Sequence, residues 1–120
     1  MLNLDTHILI DALRGDLTLA ERRLLANRRW SISSIVLWEL AKLVQLDRVE
    51  MDLDDRELTR VLNRLHVWPI DLTVARASTR LDFRSDPADE IIAATSLVHS
   101  VPLLTRDTVM RGSKVVPLAA

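Results

Sequence analysis

Cysteine is absent from this 120-residue chain, which removes disulfides, thiolate zinc sites and thiol nucleophiles together. Any metal must then be held by oxygen or by histidine. His7, His66 and His99 show neither H-x-x-x-H nor H-E-x-x-H spacing, so zinc is disfavoured, and oxygen ligands point to magnesium or manganese. Glycine and proline are scarce, two and four residues, and no flexible linker or low-complexity tract is evident. An uninterrupted apolar run of the ~20 residues a membrane span requires is lacking too. The opening Met-Leu-Asn-Leu-Asp has neither the basic region nor the long apolar region of a signal peptide. The expectation is a soluble cytoplasmic protein with no membrane partner. Finally, charge of one sign is not in excess: the net charge is -1 at pH 7, which excludes a global basic field that would bind any nucleic acid.

What is present is enough apolar sequence for a single core, in the usual length range of one domain. We therefore expect a single domain over residues 1–120. The positive charge is almost all arginine, Lys42 and Lys114 being the only lysines, and Arg22, Arg23, Arg28 and Arg29 crowd one short stretch. The planar guanidinium fork matches phosphate in a bidentate way, so these four form a candidate local phosphate surface. A solvated helix face explains the run equally well.

Short apolar runs with strand character occur at Met1 to Leu4, Trp30 to Ser33, His66 to Ile70, Pro102 to Thr105 and Val115 to Val116. Helical spacing fills the stretches between them: Thr6 to Leu13 closed by Arg14-Gly15, Leu17 to Arg28, Ile35 to Leu46 behind Ser33-Ser34, a segment opened by Asp54-Asp55 and running through Arg64, Leu72 to Leu81, and Pro87 to His99. This alternation predicts an α/β domain around a mainly parallel sheet, because parallel neighbours need a helical crossover. Ligands of such sheets bind outside the carboxyl ends of the strands, near a topological switch point.

Four acids fall where that rule looks. Asp5 ends the first predicted strand, and Asp107 follows Leu103-Leu104-Thr105-Arg106 at the end of a later one; each is also a good helix N-cap. In Asp86-Pro87-Ala88-Asp89, Asp86 suits the N-cap, Pro87 the first helical position, and Asp89 a capping-box-like pair in the first turn, where the helix dipole keeps a carboxylate ionised. Glu39 lies at the apolar margin of its predicted helix, where it must be paired or bound to a cation; a pair with Lys42 is the plain alternative. If the four converge, their repulsion raises their pKa values until a divalent ion relieves it, and such sites suit phosphoryl transfer.

Nearly end to end, these segments resemble the PIN domain, and more narrowly the VapC-type toxins of toxin–antitoxin pairs. Leu4-Asp5-Thr6-His7 with Leu9-Ile10-Asp11-Ala12-Leu13 is similar to the family's first motif, and Ser31-Ile32-Ser33-Ser34-Ile35 through Trp38-Glu39-Leu40-Ala41 to its second. Asp86-Pro87-Ala88-Asp89-Glu90-Ile91-Ile92-Ala93-Ala94-Thr95 is similar to the third, and Pro102-Leu103-Leu104-Thr105-Arg106-Asp107 to the fourth. The resemblance implies a PIN-like three-layer α/β/α fold with a mainly parallel central sheet of about five short strands. It also implies that Asp5, Glu39, Asp89 and Asp107 form a magnesium- or manganese-dependent ribonuclease site, with Asp5 and Asp89 as primary ligands. Thr6 and Thr105 match hydroxyl positions that orient a carboxylate or a water. A homodimer and a VapB-like antitoxin whose tail blocks the groove are implied as partners, beside the RNA substrate. Asp86 is assigned to capping. One departure stands out: many relatives carry arginine directly after the third-motif acid, and here the residue is Glu90.

The first functional reading is thus an endoribonuclease toxin that cleaves RNA phosphodiesters by metal-activated water. A second is a catalytically weak PIN-like RNA-binding or antitoxin-binding module, suggested by the near-neutral charge and Glu90. A phosphate-accepting signalling domain is disfavoured, because it needs paired acids after the first strand and a late lysine, which Asp5-Thr6 and Leu104-Thr105-Arg106 do not supply.

Overall fold

A computed structural model describes residues 1–120. In chain order the elements are β1 (Leu2–Leu4), α1 (Thr6–Arg14), α2 (Leu19–Leu25), β2 (Trp30–Ser33), α3 (Ser34–Gln45), α4 (Arg56–Asn63), β3 (His66–Trp68), α5 (Leu72–Ser78), α6 (Pro87–His99), β4 (Leu103–Leu104) and α7 (Thr108–Arg111). The strands form one sheet in the order β3-β2-β1-β4, and every pairing is parallel. Helices cover it as a three-layer α/β/α sandwich. The order steps one way from β1 through β3 and then returns to place β4 on the other side of β1, so the switch point lies between β1 and β4.

Strands buried on both faces do not alternate apolar with polar. Accordingly all of β1 is buried, Asn3 included, and so is Ile32 with its flanking serines in β2. Asn3 Nδ2 donates to Ser96 Oγ at 2.9 Å and Ser31 Oγ to the Leu2 carbonyl at 3.1 Å, while Asn3 Oδ1 is left without a partner. The main core gathers Leu2, Leu4, Ile8, Leu9, Ile32, Val36, Ile92, Leu103 and Met110 between sheet and helices. Ile10, Leu40 and Val49 form a smaller satellite.

Short polar side chains start most helices. Asp5, Thr18, Ser33, Asp55, Asp71 and Asp107 each accept a backbone N–H from the first turn of the helix that follows. Gly15 closes α1 at φ 75°, a left-handed conformation that costs glycine little. The second helix is shorter than its predicted Leu17 to Arg28, because Thr18 caps its start and Asn27 turns left-handed at φ 59° beyond its end.

The predicted fifth strand at Val115 to Val116 does not form. The backbone N–H groups of Val115 and Val116 both bond Ser113 Oγ, and Ser113 Oγ donates to Asp82, so a side-chain turn replaces the ladder. The sheet is extended instead by an isolated parallel bridge between Leu103 and Leu118. The third strand stops at Trp68, just before Pro69, which has no N–H to give.

Candidate active site

Three of the four acids are placed by the local grammar that the sequence displays. Asp5 leaves β1 at its carboxyl end and caps α1, accepting the Thr6 N–H at 2.8 Å. Its other oxygen accepts from Thr105 Oγ at 2.7 Å, across the switch point from the end of β4. Asp107 caps α7 through the Val109 and Met110 N–H groups at 2.8 and 3.2 Å, and its own N–H donates to Thr105 Oγ at 3.0 Å. Asp89 sits in the first turn of α6 and accepts from Ser85 Oγ at 3.0 Å. Glu39 comes from the second turn of α3 and accepts from Thr6 Oγ. Lys42, its alternative partner, bonds Gln45 at 2.9 Å instead.

All four acids line one cavity of about 500 Å³, together with His7, Asp11, Asp86 and Arg106 and with no apolar side chain. Its walls lie at the carboxyl ends of the strands, where an open parallel sheet presents its ligand sites.

The electrostatics follow from that crowding. Burial pushes the Asp5 carboxyl above its ordinary value and Asp107 adds repulsion, while the Thr105 and Thr6 bonds pull the other way. Burial likewise raises Glu39, with Asp5 and Asp86 repelling it and Thr6 opposing. Asp89 is pushed up to about 6, first by burial and then by Asp5, Glu39 and Asp107, against the Ser85 bond. Acidic groups are thus concentrated in one cavity, a crowding of the kind that a divalent cation relieves.

No three of these side chains draw close enough to grip a metal ion as they stand. The donor set nevertheless suits a hard divalent cation in its chemistry: oxygen donors from separate elements, mutual repulsion, and hydroxyls that donate to Asp5 and Glu39 and orient them.

Asp86 departs from its predicted role. It occupies the backbone N-cap position of α6, yet its side chain makes no capping bond and lines the acidic cavity. Asp89 correspondingly bonds Ser85 rather than closing a capping box. Glu90 turns away from the acids: it accepts the Ser85 N–H at 3.4 Å and lines a separate cavity with Phe83 and Arg84. Arg22, Arg23, Arg28 and Arg29 are all exposed, and none lines the acidic cavity. Arg28 and Arg29 precede β2, at the end of the parallel sheet opposite the carboxylates.

The residue that sequence reasoning passed over is Arg106. Its guanidinium takes both Glu21 oxygens, at 2.7 and 2.6 Å, and bonds Asp11 with the remaining nitrogen. Glu21 is also the acid of the Thr18 capping box, so one fork joins α1, α2 and the turn that carries Thr105 and Asp107. The available signal was an arginine between those two residues, in a chain rich in early acids. His7 and Asp11, in the first and second turns of the helix that Asp5 caps, also line the cavity.

A family model described as "PIN domain" matches residues 3–112. No curated protein matches the sequence significantly. Among solved structures the chain is similar to a toxin–antitoxin complex from Klebsiella pneumoniae, at 23% identity and TM-score 0.73, covering 93% of this chain and 92% of that one. It is similar to VapBC2 from Rickettsia felis bound to a DNA fragment from their promoter, at 20% identity and TM-score 0.72, covering 99% and 98%. FitAcB from Neisseria gonorrhoeae is 23% identical with TM-score 0.72, covering 100% and 97%. At these identities the likeness to solved structures is one of fold.

Proposed function

The chain belongs to the PIN domain family, and on that premise we propose that it is a magnesium- or manganese-dependent endoribonuclease, the toxin of a VapC-type toxin–antitoxin pair. The observation that carries this reading is the single cavity shared by Asp5, Glu39, Asp89 and Asp107, four acids from four separated segments. Asp5 and Asp89 would hold the ion, with Glu39 and Asp107 in support. Bound there, the ion would supply a Lewis acid that lowers the pKa of water and neutralises charge on the phosphate.

The chain's own residues do the positioning. Thr105 fixes one oxygen of Asp5 while the Thr6 N–H fixes the other, so this carboxylate cannot rotate freely. The Thr6 hydroxyl orients Glu39, which makes Thr6 a brace for two acids at once. In-line attack by water would leave a 5′-phosphate and a 3′-hydroxyl. Arg22, Arg23, Arg28 and Arg29 would contact the RNA backbone away from the cut. Two of the similar structures are named as toxin–antitoxin or VapBC complexes, and by that analogy a VapB-like antitoxin would occupy the groove of a homodimer in the cytoplasm.

Asp5→Asn and Asp89→Asn should each abolish manganese-dependent cleavage of RNA while leaving the circular dichroism spectrum unchanged. Undiminished cleavage by folded Asp5→Asn protein would sink the assignment. A second reading, a catalytically weak PIN-like RNA-binding or antitoxin-binding module, is favoured by the absence of three acids close enough to grip an ion. Calorimetry separates the two: manganese binding that is lost in Asp89→Asn supports the nuclease, and no binding to the native chain supports the module.

A further inference from the structure

A second polar cavity, of about 520 Å³, adjoins the acidic one and is lined by Thr79, Phe83, Arg84, Ser85 and Glu90 among others. They meet around the start of α6, where Asp86 and Asp89 line the acidic cavity and Ser85 and Glu90 the second. Ser85 gives its hydroxyl to Asp89 on one side and its N–H to Glu90 on the other, and Asp89 and Glu90 are consecutive residues. A single RNA strand whose phosphate lies at the acids would therefore have a flanking base beside this second cavity. The residues there are those that read an unstacked base: an aromatic ring, an arginine fork and a carboxylate.

Glu90 has one oxygen in a long 3.4 Å contact with the Ser85 N–H and the other without a partner. Arg84 is exposed and makes no salt bridge, with Glu90 or any other acid. Thr79 spends its hydroxyl proton on the Arg76 carbonyl, so it offers only an acceptor. A carboxylate wants two donors side by side, and guanine alone among the RNA bases presents them, as N1–H and the N2 amine on its Watson–Crick edge. Adenine and cytosine put a ring acceptor beside their amine, which would face a carboxylate oxygen, and uracil offers one donor between two carbonyls. Arginine complements the remaining guanine acceptors, O6 and N7.

We propose that this cavity is a guanine-binding subsite beside the scissile phosphate, with Glu90 reading N1–H and the N2 amine, Arg84 meeting O6 or N7, and the half-buried Phe83 ring offering a stacking face. The inference rests on the nuclease reading for its place in the reaction, and it assigns a specificity role to the residue at which this chain departs from the pattern of its relatives.

The test is a binding measurement on the full chain with guanosine, adenosine and inosine 5′-monophosphates, followed by amide chemical shifts in metal-free buffer. Guanosine monophosphate should bind about tenfold more tightly than adenosine monophosphate, with shifts centred on Thr79, Ser85 and Glu90. Inosine monophosphate, which lacks the N2 amine, should lose most of that preference without any change to the protein. Glu90→Gln should abolish the discrimination between guanosine and adenosine monophosphates. Equal binding of the three nucleotides, shifts confined to other surfaces, or a guanine preference that survives Glu90→Gln would each overturn the proposal. Binding needs no cleavage, so the two readings fail separately. Manganese-dependent cleavage without selective guanosine monophosphate binding removes the subsite alone, whereas selective binding without cleavage supports the base-reading cavity and removes the nuclease.

Discussion

Replacing Arg106 by alanine should lower the free energy of unfolding by about 2 kcal/mol at pH 7, and the penalty should shrink in acid. The two bonds from Arg106, at 2.7 and 2.6 Å, hold the Glu21 carboxyl far below its ordinary value, from 4.5 down to about 2, with help from Thr18. Fully expressed, a shift of that size corresponds to about 3.4 kcal/mol, at ~1.4 kcal/mol per unit. The Arg106 side chain is 42% exposed and that of Glu21 12%, so solvent screening reduces the figure to about 2 kcal/mol. Because the folded value lies below the unfolded one, the contribution is present above about 4.5 and is lost as the pH falls toward 2. At pH 3.5 about three-fifths of it remains. Urea unfolding at pH 7, 5 and 3.5 on the native chain, Arg106→Ala, Glu21→Gln and the double variant closes the cycle. A coupling below ~0.5 kcal/mol at pH 7, or one that is the same at pH 3.5, would refute the reasoning.

The acids of the cavity predict the opposite pH behaviour. Asp89 has its carboxyl raised from 3.8 to about 6, so its favourable contribution exists in acid and is lost as the pH rises through 6. In a chelating buffer at pH 8, Asp89→Asn should therefore stabilise the fold by about 1 to 2 kcal/mol, the neutral amide replacing a repelled charge. Unchanged or lowered thermal stability there would contradict the crowding described. Asn3, fully buried in β1 and donating to Ser96 Oγ at 2.9 Å, should be costly to truncate. Asn3→Ala is expected to lower the unfolding free energy measured in urea by about 2 kcal/mol, and a loss under ~0.5 kcal/mol would show that this bond contributes little.

Much of this structure was legible because it is written locally. An aspartate at the end of a strand and the start of a helix had only one geometry to adopt, which is why Asp5 and Asp107 stand where the sequence puts them. Glu39 was marked by its position at an apolar margin, but its hydrogen-bond partner could not be named. The nearby lysine is an obvious candidate in a linear reading, whereas Thr6 lies 33 residues away and becomes a neighbour only through the β1–β2 pairing. Arg106 was illegible for the same reason, with partners 85 and 95 residues distant. The arginine cluster shows the reach of composition from the other side, since it lies outside the acidic cavity. Composition drew attention to Arg22, Arg23, Arg28 and Arg29, and composition says nothing about which end of a sheet a residue will occupy. The failed strand at Val115 to Val116 shows a side chain outcompeting a ladder: Ser113 offers both N–H groups an acceptor at once.

The bond between Thr105 and Asp5 spans 100 residues, and the strand that delivers Thr105 is the last in chain order, lying beside the first. A chain emerging from the ribosome presents Asp5 and Glu39 long before β4 and the Arg106 fork arrive to complete the cavity. A nascent chain that has not yet reached β4 therefore lacks the hydroxyl that fixes one oxygen of Asp5 and the guanidinium that joins α1 to α2.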